Sequence, residues 1–396
     1  MLSGTCIIDL ADETASFCSR VLADLGARVI KIEKPGGDPS RNIGPFFEDA
    51  HQRLKSLSFL NNNINKLGIT LNIENPEARE IFFRLLDNAD VVVETYPPGY
   101  LKQIGLSYDT LKGVNPKIIL ASVTGFGQKG PKSKYKSCDP VASACGGQMY
   151  VCGAKSTQPL KAFGQPSYYA ASLFAAVGIL LALRKCKAEG SGTHLDLSLQ
   201  ESVAATLEHV MIRYFSDGAI PVRQGSRHWD NTFYIFPCKD GFMHMTLFQH
   251  WDTLVEWLDS EGMAADLKAP KWNDPQTRDA HFDHIVEILS RWTKTHTVAE
   301  LFEVGQLMRF PWSPVLSPVE VTKSPQLKDR DFFAPLMDSV GDTVLPCPGS
   351  PYRFDHLFPP RHSSAPEAGQ NNMDIYQKEL GIPEEELGRL TALGAI

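Results

Sequence analysis

The stretch CIIDLADETASFCSRVLADLGARVIKIEKPGGD (residues 6–38) decides the fold. Cys6–Leu10 is a short apolar run suited to a buried strand. Ser16–Gly26 follows with helical spacing: Phe17, Val21, Leu22 and Leu25 share one face, and Gly26 supplies the stop. Arg28–Ile32 is a second strand rich in Val and Ile. Strand, helix and strand within about thirty residues make a βαβ unit.

The same alternation continues outward. Gly68–Leu71, Val91–Glu94 and Ile118–Val123 read as strands, and Pro76–Asn88 as a helix opened by its proline. Such strands separated by helices predict an α/β fold with a parallel sheet covered on both faces. Further on, Leu195–Leu199 reads as a strand and Gln200–Phe215 as one long helix. Phe233–Pro237 and Phe242–Leu247 form a hairpin around Lys239-Asp240-Gly241. Helices are expected at His250–Asp259, Asp279–Thr293 and Val298–Val304. The chain therefore divides into a large domain (1–214 plus 326–396) and a smaller α+β domain (215–325). From Ser317 it is proline-rich and reads as irregular until a short helix near Pro383–Thr391.

Composition narrows the function. With 43% hydrophobic and 21% charged residues, the chain is neither disordered nor fibrous. A net charge of −7 argues against nucleic acid and anionic membranes as partners, so an anionic ligand would need a local basic patch. The eight cysteines are scattered, with no CxxC pair and no zinc spacing. Free thiols in a reducing cytoplasm, with no metal, are the expectation. The N-terminus is acidic and reads as a strand, not as a cleavable signal. Tyr168–Leu183 is the most apolar run, but its 16 residues fall short of the ~20 that span a bilayer. It reads as a buried core helix.

Ligand sites of a parallel sheet lie at the carboxyl ends of its strands. Those ends carry Glu33 to Asp38, Asn72, Thr95 to Gly99 and Thr124 to Gly127. Lys129, Lys132, Lys134 and Lys136 either serve an anion there or form a solvated loop. No GxGxxG follows the first strand, and Asp12 and Glu13 would repel a pyrophosphate, which argues against a nicotinamide enzyme. His228 and Trp229, beside Arg223 and Arg227, could meet a carboxylate or simply build a loop.

The order of motifs resembles the class III coenzyme A transferases, the family of formyl-CoA transferase, carnitine-CoA transferase and α-methylacyl-CoA racemase. The resemblance is carried by LADLGARVIKIEKPGGDPSR (22–41), NKLGITLNIENPEARE (65–80), ADVVVETYPPGYLKQIGLSYDTL (89–111), NPKIILASVTGFGQKGP (115–131), GQPSYYAASLFAAVGILLALR (164–184), SLQESV (198–203), SPQLKDRDFF (324–333) and PGSPYRF (348–354). It implies a Rossmann-like large domain built from both chain ends, an interlocked dimer, and transfer of CoA between carboxylic acids. CoA thioesters are then substrates, and no cofactor is permanently bound. The implied nucleophile is an Asp just before the apolar helix, and here the chain departs from the family. Counting back from the helix places Tyr168 at that position, and counting forward from Gly164 places Tyr169. No Asp or Glu occurs between Asp139 and Glu189. A phenol cannot form the acyl anhydride the reaction needs.

The resemblance also implies CoA contacts at Lys34, Thr70, Leu71, Tyr96 and Lys136, thinned by Gln103 and Glu74 at positions where relatives carry cations. The racemase histidine is absent as well. The chain thus resembles the Asp-lacking subunit of a heteromeric transferase, paired with a homologous Asp-bearing subunit, as in transfer of CoA from succinyl-CoA to (R)-benzylsuccinate in anaerobic toluene degradation. Two other readings stand beside it: an active homodimeric transferase or lyase using a different residue, and a non-enzymatic acyl-CoA-binding scaffold.

Overall fold

A computed structural model of the protein describes residues 1–49, 52–337, 344–355 and 363–396. Two compact units emerge. One comprises Met1–Gln148, Lys161–His209 and Gln326–Ile396, and the other Met149–Leu160 and Val210–Pro325.

The first unit is built on a six-stranded sheet. Its strands are β1 (Cys6–Asp9), β2 (Arg28–Glu33), β3 (Lys66–Thr70), β4 (Val91–Glu94), β5 (Ile119–Thr124) and β6 (His194–Ser198), in the order β3-β2-β1-β4-β5-β6 and all parallel. The register sets Ile7 beside Val29 on one side and Val91 on the other. Helix α1 (Ser16–Asp24), helix α4 (Asp139–Cys145) and helix α5 (Pro166–Glu189) cover one face, with Cys18, Leu22, Ala142, Ala171, Ala175 and Ile179 buried against Ile7, Val93 and Ala121. Helix α2 (Pro76–Leu86), helix α3 (Tyr108–Val114) and the chain's last residues cover the other, where Phe82, Leu111, Tyr376 and Leu390 pack on Ile8, Val92 and Leu120.

The free edge of β3 is closed by the returning C-terminal segment. Asn371 and Asn372 side chains accept the Gly68 and Thr70 backbone N–H groups at 2.8 and 2.9 Å. An edge covered in this way cannot recruit another strand. Beneath it, Lys66 Nζ meets Asp9 at 2.7 Å with both side chains fully buried, and the Ser19 hydroxyl donates to the same carboxylate at 2.6 Å.

Three expectations are corrected. α5 is not a fully buried helix: Ala171, Ala175 and Ile179 face inward, while Leu173, Phe174, Val177 and Leu181 stand 44–62% exposed. An almost wholly apolar helix gives no pattern from which to tell its two faces apart. The helix read over 200–215 is two, Leu199–Ala205 and Val210–Asp217. The region after Ser317 is not irregular throughout. Helices occupy Pro318–Thr322 and Pro325–Asp329, and strands Phe333–Met337 and Val344–Pro348 pair antiparallel.

The second unit holds the predicted hairpin, Phe233–Pro237 against Phe242–Thr246, with Ser313–Pro314 added at its edge. Its core is aromatic: Trp257, Trp292 and Trp312 pack with ring centroids 4.9–6.3 Å apart. Glu261 accepts the indole N–H groups of Trp257 and Trp292, both at 2.7 Å. Arg223 ties in the segment from Met149 to Leu160 by donating to the Tyr150 and Thr157 carbonyls at 3.0 and 3.2 Å.

Candidate functional site

Strand order fixes where a ligand can enter. The chain builds outward from β1 through β2 and β3, then returns to lay β4, β5 and β6 on the other side. The carboxyl ends of β1 and β4 flank that reversal, the usual crevice of an open parallel sheet. The β1 loop brings Asp12, Glu13 and Thr14, and the β4 loop brings Thr95 and Tyr96. The Asp12 N–H donates to the Thr95 hydroxyl at 3.0 Å and binds the two loops together.

Tyr168 reaches this crevice from the first turn of α5. It is buried, with its phenol beside Glu13, the Thr14 hydroxyl and the Asp139 backbone. Burial pushes the phenol up to about 12, and the Glu13 and Asp12 charges add to the rise. It is therefore neutral at physiological pH. Tyr169 turns away: its ring meets Phe17 at 4.7 Å and its hydroxyl donates to Asn62 at 3.4 Å. Of the two tyrosines left open by the counting, Tyr168 is the one that faces the β1 loop.

Asp139 is committed elsewhere. Its carboxylate accepts the Ser167 N–H at 2.9 Å, where it caps the N-terminus of α5, and pairs with Lys161 at 2.8 Å. The Ser167 hydroxyl also donates to it. Those partners leave it holding two chain segments together.

The residues expected to contact CoA divide into groups. Lys34 and Tyr96 share one cluster: Lys34 pairs with Glu74 at 2.9 Å, the Tyr100 hydroxyl donates to Glu74, and the Tyr96 and Tyr100 rings lie 4.7 Å apart. Glu74 is thus the carboxylate that balances Lys34. Thr70 is taken up by the C-terminal segment, its hydroxyl accepting from Asn372 at 2.8 Å and its carbonyl from Tyr376 at 2.6 Å. Leu71 is a core residue. Lys136 is exposed, as are Lys129, Lys132 and Lys134. In the second unit, Arg227 pairs with Asp283 at 2.9 Å and His228 with Asp230.

Sequence reasoning missed Glu94. It ends β4, is 3% exposed, and accepts the Tyr96 N–H at 2.6 Å. Burial pushes its carboxyl up to about 7 against the help of Ser122 and the Tyr96 N–H, and Asp12 and Asp196 push it further the same way. The signal was present in the sequence: an ionisable residue closing an otherwise all-valine strand. Among the described residues, no group of three or more His, Cys, Asp or Glu side chains could hold a metal ion.

Comparison with known proteins adds to this geometry. A family model for CoA-transferase family III matches residues 2–372. The chain is 30% identical over 399 residues to subunit BbsE of succinyl-CoA:(R)-benzylsuccinate CoA-transferase from Thauera aromatica, covering 98% of this chain and 97% of that protein. It is 29% identical over 391 residues to succinyl-CoA:mesaconate CoA-transferase from Haloarcula hispanica, covering 95% of each. A solved CAIB/BAIF family protein from Brucella suis superposes with a TM-score of 0.86 at 27% identity, covering 95% of this chain and 98% of that one.

Proposed function

The chain belongs to CoA-transferase family III, and from that premise we propose that it is the subunit without the nucleophile in a heteromeric, cytoplasmic CoA-transferase. Its partner is a homologous chain carrying the Asp. The partner's carboxylate attacks the donor thioester, expels CoA thiolate and becomes a mixed anhydride. The thiolate then attacks the anhydride, frees the donor acid and leaves an aspartyl-CoA thioester. The acceptor carboxylate repeats the two steps in reverse order, so no proton, metal or permanent cofactor is consumed. This chain contributes the fold against which that site assembles, with CoA held weakly at its own sheet edge by Lys34, Tyr96 and Lys136. Succinyl-CoA as donor and (R)-benzylsuccinate as acceptor are the substrates suggested by BbsE.

The observation that carries this reading is the first turn of α5. It offers Tyr168 and Tyr169 where the family chemistry needs a carboxylate, and the adjacent Asp139 is held by Lys161 and Ser167. The decisive experiment isolates the native complex, identifies its chains by mass spectrometry and assays each alone and together with acyl-CoA donors. Activity is expected with both chains and absent with this one. Turnover by this chain alone, or an acyl or CoA adduct trapped on it, would overturn the reading.

A further inference from the structure

Among the described residues no cation pairs with Glu94: the charged groups that act on it most, Asp12 from the β1 loop and Asp196 from β6, are both acids. The Tyr96 N–H already donates to this carboxyl. Ser122, its register partner on β5, presents a hydroxyl to the same carboxyl. That hydroxyl oxygen also lies 2.9 Å from His194 Nε2. His194 is exposed at the start of β6, with its ring stacked on Tyr108 at 5.5 Å. Ser122 has a single hydroxyl hydrogen and two claimants for it.

We infer that Glu94, Ser122 and His194 form a proton-linked switch that positions Tyr96 and the loop behind it. With Glu94 ionised, Ser122 donates to the carboxylate and accepts from His194 Nε2–H. When Glu94 takes a proton from solvent, its O–H donates to Ser122, and the Ser122 hydrogen turns toward a bare His194 Nε2. The ring proton passes to Nδ1 through water. Glu94 gains one proton, and His194 changes tautomer but not charge. The burial and Lys129 that hold His194 toward its neutral form outweigh the opposing Asp196 and favour this outcome. Hydrogen bonds to a charged acceptor are about twice as strong as neutral ones. Tyr96 is therefore gripped above neutrality and loosened below it. Tyr96 packs at a tilt against Tyr100, whose hydroxyl holds Glu74, so the change reaches the cluster around Lys34.

That this loop meets a CoA thioester rests on the function proposed above, but the test needs no thioester. Hydrogen exchange of the Tyr96 amide, corrected for its intrinsic rate, is followed by mass spectrometry on the full chain in its native complex across neutral pH. Exchange should slow on the order of tenfold as pH rises in the native protein and stay flat in Glu94→Gln. Ser122→Ala removes a donor to the carboxylate and should move the midpoint upward. An unchanged response in Glu94→Gln, or an unmoved midpoint in Ser122→Ala, would overturn the switch, and the second result stands even if Glu94→Gln does not fold. A complex that fails to bind acyl-CoA would instead sink the function proposed and leave the switch untouched.

Discussion

Lys66 and Asp9 are an ion pair whose side chains are both fully buried. Burial opposes the charge of Asp9, but Lys66 and Lys31 outweigh it and hold the carboxyl below its ordinary range. Burial likewise pulls Lys66 down to about 8. Stripping one partner strands the other: Asp9→Ala should cost about 3–5 kcal/mol. The double variant Asp9→Leu/Lys66→Met should cost far less than the sum of the two singles, as urea unfolding in a double-mutant cycle would show. Glu94 behaves with the opposite sign. An acid whose folded pKa is raised contributes stability that is complete below its unfolded value and lost as pH climbs through the folded one. Glu94→Gln should accordingly be stabilised by about 1–3 kcal/mol over the native protein near pH ~8, and by almost nothing near pH ~4. The lack of any Asp or Glu between Asp139 and Glu189 was plain in the sequence, because absence from a short segment can be read directly. The grouping of Glu94, Ser122 and His194 was not, since only sheet order brings residues so far apart in the chain onto one face. On the function proposed, Tyr168→Phe should leave turnover of the assembled complex within about twofold, because that mechanism asks nothing of a neutral phenol. A large loss in steady-state kcat would contradict this.

At the level of elements, apolar runs located every strand of the large sheet to within a residue or two; those rich in Val and Ile are buried on both faces and have little other composition open to them, whereas the last, Leu195–Leu199, was read from alternating leucines. Helices were harder. Apolar spacing ran straight through 206–209, so the break there left no trace. Pro318 and Pro325 looked like breakers, yet each opens a short helix. Ser317 and Glu320 form a capping box around the first, and a proline in the first turn lacks only an N–H that the helix would not have used. The covered edge of β3 also has a steric requirement. A Cβ on Gly68 would sit 2.7 Å from the Pro366 ring. Gly68→Ala should therefore cost about 1–3 kcal/mol by thermal or urea unfolding and loosen the C-terminal segment, which would show as faster exchange of the Asn371 amide.

At the scale of the whole molecule, the exposed row on α5 bears on how the chain behaves alone. Leu173, Phe174, Val177 and Leu181 form one outward stripe on a 24-residue helix. Contiguous apolar surface of that kind marks an interface or an aggregation liability. Expressed without a partner, the chain should self-associate. Leu173→Gln/Val177→Gln/Leu181→Gln should relieve that and weaken capture of the proposed Asp-bearing partner by at least about tenfold, measured by light scattering and by pull-down. A monodisperse native monomer would argue against the stripe as an interface. The aromatic core of the second unit has a different consequence. All 6 tryptophans of the chain lie between residues 229 and 312. Indole emission therefore reports on that unit alone, while the six-stranded sheet and the crevice at its edge stay dark at those wavelengths. A melting curve followed by fluorescence and one followed by circular dichroism describe different parts of the same chain, and their coincidence or separation measures whether the two units lose structure as one cooperative body.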